Sequence, residues 1–97
     1  MAEERTYIVT YDISDTRRWR RVFKTMNGFG EWLQLSVFQC RLSQRRRAEL
    51  ETRLREIIKA GEDHILLIDV GYADKTELAV ESLGKTFAGI ERRAIVI

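Results

Sequence analysis

Apolar residues are spaced along this chain in two alternating rhythms, one suited to strands and one to helices. Residues 5–11, RTYIVTY, are dense in β-branched and aromatic side chains, which predicts a strand for a sheet interior. Trp19, Val22, Phe23 and Met26 then recur at i, i+3, i+4 and i+7, the apolar stripe of a helix over residues 15–27. That helix is expected to stop at Asn27-Gly28-Phe29-Gly30, with a glycine in a left-handed C-cap. Residues 31–42 mix Leu33, Leu35, Val37 and Leu42 with Gln34, Ser36, Gln39 and Arg41, without one unbroken alternation. A phase change near Leu35 and Ser36 suits either two short strands joined by a tight turn or one bulged strand. Ser43 then caps a second helix through about Lys59, with Leu50, Leu54, Ile57 and Ile58 as its stripe, and Ala60-Gly61 ends it. Residues 63–70 are apolar on both parities, Ile65 and Leu67 on one, Leu66, Ile68 and Val70 on the other.

The order β-α-β-β-α-β predicts a single α+β domain of ferredoxin-like type over residues 1–97. A strand apolar on both faces is expected to be covered on both. Two helices cover only one side of a small sheet, so a second copy packed sheet to sheet is the expected cover for the other. In the tail, residues 76–84 fit a short helix or an edge strand, with strand favoured, and residues 93–97 form a last strand. An unpaired apolar edge is a liability unless it pairs. Residues 76–97 are therefore expected to pack on, or exchange with, the partner subunit.

Composition sharpens the picture. Charge is uneven: residues 1–47 carry ten Lys/Arg against five Asp/Glu, while residues 48–97 carry seven against ten. Thirteen of the seventeen basic residues are arginine, whose guanidinium grips phosphate in a bidentate fork. This points to a localised nucleic-acid face, although i,i+4 pairing accounts for part of the second helix. No apolar run approaches the roughly 20 residues that span a bilayer. The acidic start MAEER does not resemble a secretory signal, and a lone Cys40 offers no disulfide or zinc cluster, so a cytoplasmic protein is expected.

The ordered set Tyr11-Asp12-Ile13, Arg17 to Arg21, Gly30, Gln34, Ser36-Val37-Phe38 and Cys40 resembles the CRISPR-associated Cas-two family. Glu62-Asp63 opening a strand and Ser82-Leu83-Gly84-Lys85 look similar too, so the likeness covers nearly the whole chain. The resemblance implies a ferredoxin-like protomer, a homodimer with facing sheets, and a carboxyl-terminal strand joining the partner's sheet. It also implies a metal-dependent endonuclease acting on single-stranded RNA or double-stranded DNA, and a partnership with the adaptation integrase on incoming DNA. Trp19 and Trp32 depart from the polar or basic residues of many relatives.

The residues themselves suggest how such chemistry would run. Asp12 ends the first strand, too early to cap the helix, whereas Ser14 or Asp15 suits that cap. One Asp12 is a poor magnesium site, but two copies meeting across a two-fold axis would hold Mg2+, or Mn2+ in its place, with room for water and a phosphate oxygen. Ser14 and Ser36 are candidates to order water or contact phosphate, Arg17, Arg18 and Arg21 to bind the flanking backbone, and Phe38 to pack near the catalytic strand. Structural roles compete with these: Asp12 as a strand-end acceptor, Tyr11 and Phe38 as core, His64 as a surface residue. No residue is a dedicated general base, and Asp69 receives no catalytic role. Three functions fit: an endonuclease, a non-catalytic DNA-binding adaptor of the integrase, and a toxin-like ribonuclease or regulator on the same fold.

Overall fold

The computed structural model describes residues 3–84. The elements run β1 (Glu4–Asp12), α1 (Thr16–Asn27), β2 (Glu31–Gln34), β3 (Val37–Ser43), α2 (Gln44–Ile57) and β4 (His64–Tyr72), followed by a short 3-10 turn at Ala73–Lys75. The strands form one antiparallel sheet in the order β2-β3-β1-β4, the ferredoxin-like arrangement. The boundary residues explain where the elements start. Asp15, not Ser14, caps α1, accepting from the Arg18 backbone N–H at 2.9 Å, and Ser43 caps α2 through Arg46 at 3.2 Å.

One face of the sheet is dry. Tyr7, Val9 and Tyr11 of β1 and Phe38, Cys40 and Leu42 of β3 meet Val22 and Met26 of α1 and Leu50, Leu54 and Ile57 of α2. Ile65 and Leu67 of β4 pack against the same core. The opposite parity of β4 carries Leu66 and Ile68, 46% and 45% exposed, and the half-exposed Val70. The doubly apolar strand is thus real, and the two helices leave its second face open.

One open choice is decided and two expectations change. Residues 31–42 form a hairpin, turning at Leu35 and Ser36 with Leu35 at φ 36°, and a register shift lies between Trp32 and Gln34. Gly28 after α1 is right-handed, φ −85°, where a left-handed cap was expected. The chain instead tightens, with the N–H groups of Gly28, Phe29 and Gly30 returning to Thr25 and Met26 carbonyls. Gly30 is needed for closeness: a Cβ there would sit 2.5 Å from the Gln39 carbonyl oxygen and against Cys40 Sγ. Residues 76–84, where a strand is favoured over a helix, form neither. The strand expected at 93–97 lies outside the described residues. No helix among the described residues is long and apolar enough to cross a membrane.

A single carboxylate ties the two loops at the carboxyl end of β1. The Asp63 side chain is fully shielded from solvent and takes a two-pronged contact from Arg18, Nε at 2.7 Å and Nη2 at 3.2 Å. It also accepts the backbone N–H of Lys59 at 2.8 Å and of Ser14 at 3.2 Å. The Arg18 guanidinium, helped by those two amides and opposed by burial, holds the Asp63 carboxyl well below the usual carboxylate range. A depressed folded-state pKa stabilises above the unfolded carboxyl range, near 3.9, and that stabilisation is lost as pH falls through the folded value. Thermal melts followed by circular dichroism should therefore show Asp63→Asn melting well below wild type at neutral pH, with the gap narrowing from about pH 4 downward. A gap that stays constant with pH would mean that the charge of Asp63 contributes nothing.

Candidate active site

Four segments meet where β1 ends. β1 delivers Asp12 as its last residue, the β2–β3 turn brings Ser36, the first turn of α1 brings Arg17 and Arg18, and the start of β4 brings His64. The turn is pinned to β1 by the Tyr11 N–H donating to the Ser36 carbonyl at 3.1 Å.

Asp12 is the chemically available member. Its parity is that of Ile8 and Thr10, so it projects from the open sheet face, and it is exposed. Its carboxylate has no hydrogen bond or ion pair among the described residues. Directly across the β1–β4 ladder stands His64, also exposed. Sequence spacing gave no sign of this pairing, because register joins residues 52 positions apart only after the strands associate.

The other expected site residues divide. Ser36 is half-buried and its hydroxyl accepts from the Trp19 indole N–H at 2.8 Å. That leaves the hydroxyl proton directed elsewhere. Ser14 belongs to the Asp63 tie, its hydroxyl donating to Asp63 at 3.5 Å and accepting from Arg18 at 3.4 Å. Phe38 is completely buried, stacked 6.3 Å from Tyr11 and edge-on to Phe23 at 5.5 Å, so its contribution is packing behind the strand. The buried Tyr11 hydroxyl has no partner among the described residues, and burial drives its pKa upward, which removes it from proton chemistry near neutrality.

Arg18, a candidate to grip phosphate, here holds Asp63 and, at 3.4 Å, Glu62. The physical reason is helical phase: Arg18 faces the α2–β4 loop, where a shielded acid already waits. Arg17, Arg20, Arg21 and Lys24 are exposed on α1 and make no ion pair among the described residues. On α2, by contrast, Arg46, Arg47, Arg53 and Arg55 all pair with Glu49 or Glu51. Unpaired positive charge thus runs along α1, whose first turn follows the end of β1. Two features escaped the sequence reading of the site, the Asp63 hub and the roles of the tryptophans. Asp63 was visible only as an acid ahead of a strand. Trp19 proves to orient Ser36, and Trp32 donates to the Leu35 carbonyl at 3.0 Å, holding the same turn.

The donor set suits magnesium as half a site. Mg2+ takes one or two carboxylates and fills its octahedron with water and phosphate oxygens. Among the described residues no three His, Cys, Asp or Glu side chains are assembled to hold an ion. At this strand end Asp12 is the unpaired carboxylate among the described residues, and a second carboxylate from outside the chain would be needed to complete such a site.

The family model described as CRISPR associated protein Cas2 matches residues 5–77. A CRISPR-associated endoribonuclease Cas2 from Rhodospirillum rubrum is 53% identical over 94 residues, covering 97% of this chain and 92% of that protein. A counterpart of the same name from Geobacter sulfurreducens is also 53% identical, covering 97% and 99%. The crystal structure of the hypothetical protein TT1823 from Thermus thermophilus superposes with a TM-score of 0.73 at 31% identity, covering 87% of this chain and 98% of that one. From the sheet order, the strand-end aspartate and these likenesses together, the chain belongs to the CRISPR-associated protein Cas2 family.

Proposed function

We propose that this protein is a homodimeric, Mg2+-dependent endonuclease of CRISPR adaptation, acting in the cytoplasm on RNA or DNA phosphodiesters. Mn2+ substitutes for Mg2+, and the same dimer bridges the adaptation integrase on duplex DNA. One observation carries the reading: the unpaired Asp12 carboxylate lies on the open, apolar sheet face. Joining two such faces buries Leu66, Ile68 and Val70 and brings two carboxylates toward one axis. β4 is also an edge strand, so its outer rim is available to residues beyond the described chain of a partner. The relatives' names, which specify endoribonuclease activity, support the reaction class.

The chain's own residues then divide the work. Asp12 from each subunit would hold the ion, which when bound activates water and offsets the charge that develops on phosphorus. Ser36, oriented by Trp19, presents its hydroxyl proton to a phosphate oxygen. Arg17 and Arg21 neutralise flanking phosphates, while Arg18 keeps the α1 start in place through Asp63. A second reading, a DNA-binding adaptor without cleavage, is favoured by the unneutralised stripe of Arg17, Arg20, Arg21 and Lys24, which spaces cations along α1.

The first test is Asp12→Asn with RNA and duplex DNA substrates. Metal-dependent cleavage should fall at least about a hundredfold, as expected when a ligand rather than an outer partner is lost, and chelation should abolish it in the wild type. Duplex binding should persist. Cleavage that survives the substitution rules out the paired-carboxylate centre. Replacing Arg17 and Arg21 together by alanine should weaken binding to all sequences alike and reduce the slope of log K against log salt by about two per subunit. An unchanged slope removes both as phosphate contacts. For the interface, Ile68→Arg should yield a monomer in light scattering that retains its helical circular dichroism; a dimer that persists places the interface elsewhere.

A further inference from the structure

His64 is the chain's one histidine, and β-sheet register places it opposite Asp12 on the last rung of the β1–β4 ladder. Parity puts both on the open face, since Thr10 pairs with Leu66 two rungs away and Ile8 with Ile68 two further on. Both are exposed, and neither side chain has a hydrogen bond or ion pair among the described residues. Directly opposed residues in an antiparallel pair have Cβ atoms about 4.5–5.5 Å apart. A carboxylate oxygen and an imidazole nitrogen starting from such positions reach a common ion at the roughly 2.0–2.2 Å distances of first-row metals.

We propose that His64 is a second protein ligand beside Asp12, so that each subunit offers a carboxylate and an imidazole to the divalent cation. This rests on the reading that Asp12 holds such a cation. Its consequence is selectivity. Magnesium is a hard ion that takes oxygen donors and keeps its waters. Imidazole adds little for Mg2+ but favours later first-row ions, whose affinity rises from Mn2+ through Co2+. The site is therefore tuned toward Co2+ and Mn2+ relative to an all-carboxylate pair.

The test uses the untagged full chain, wild type and His64→Gln, at a pH above the ordinary imidazole range. Because no other histidine exists, imidazole nitrogen coupling in the pulsed electron paramagnetic resonance spectrum of bound Mn2+ reports this residue alone. The expected result is coupling in the wild type and none in His64→Gln or Asp12→Asn. Calorimetry should show Co2+ binding weakened about tenfold by His64→Gln, the order found for lost metal partners, with Mg2+ binding changed less than about twofold. Mn2+ that binds through Asp12 with no nitrogen coupling overturns the proposal and leaves the Asp12 site standing. Coupling that persists in Asp12→Asn overturns it as well, since the imidazole then binds the ion alone. Failure of every divalent ion to bind the wild type removes the Asp12 reading and this one with it.

Discussion

A four-stranded sheet has two faces, and the described residues supply helices for one. Burial on the helix side follows from alternation: Tyr7, Val9 and Tyr11 point inward together with Phe38, Cys40 and Leu42, and the α1 and α2 stripes close over them. The same alternation forces Ile8, Thr10 and Asp12 outward, and Leu66, Ile68 and Val70 with them. The position of the candidate carboxylate and the exposure of the apolar surface are thus one fact seen twice. A shift of β1 by one residue would bury Asp12 among aromatics and expose Val9, so register and chemistry are locked together.

Electrostatics around the site divide by element. Glu49 and Glu51 sit within about one turn of four arginines on α2 and pair with all of them, two negative charges against four positive. Exposed pairs of this kind are worth little to stability, typically about 0–1 kcal/mol each. Their effect is to offset part of the α2 charge, which stays net positive with five arginines against three glutamates. α1 has no acid in its span, so Arg17, Arg20, Arg21 and Lys24 stay free to meet phosphate. Arg18 is the exception, turned by helical phase onto Asp63. That contact fixes the start of α1 against the α2–β4 loop and so fixes the distance between the basic stripe and the strand end.

Trp19 and Trp32 brace the β2–β3 turn from two sides. Each uses its indole N–H on the β2–β3 turn, Trp19 at the Ser36 hydroxyl and Trp32 at the Leu35 carbonyl. The rings also join the aromatic cluster, with Trp19 stacked 5.3 Å from Phe23 and Trp32 edge-on to it at 6.4 Å. A turn that must hold Leu35 at positive φ is strained for a residue with a Cβ. Two indole clamps on either side of it offset that strain locally.

Local information in the sequence was enough for the element order, both helix stripes, the Ser43 cap and the doubly apolar β4, because each depends on spacing within a few turns or rungs. It was enough to single out Asp12 as a strand-end acid and to choose Phe38 and Tyr11 as core. It did not show that Arg18 belongs to Asp63, that Ser14 joins them, or that Asp12 faces His64, since those contacts link residues about 45 to 52 positions apart. Nor did it decide between hairpin and bulge at Leu35 and Ser36, where the turn is set by indoles that pack only once α1 has docked. Spacing dictates which side a residue faces; what it meets there is decided when distant segments are brought together by the burial of the core.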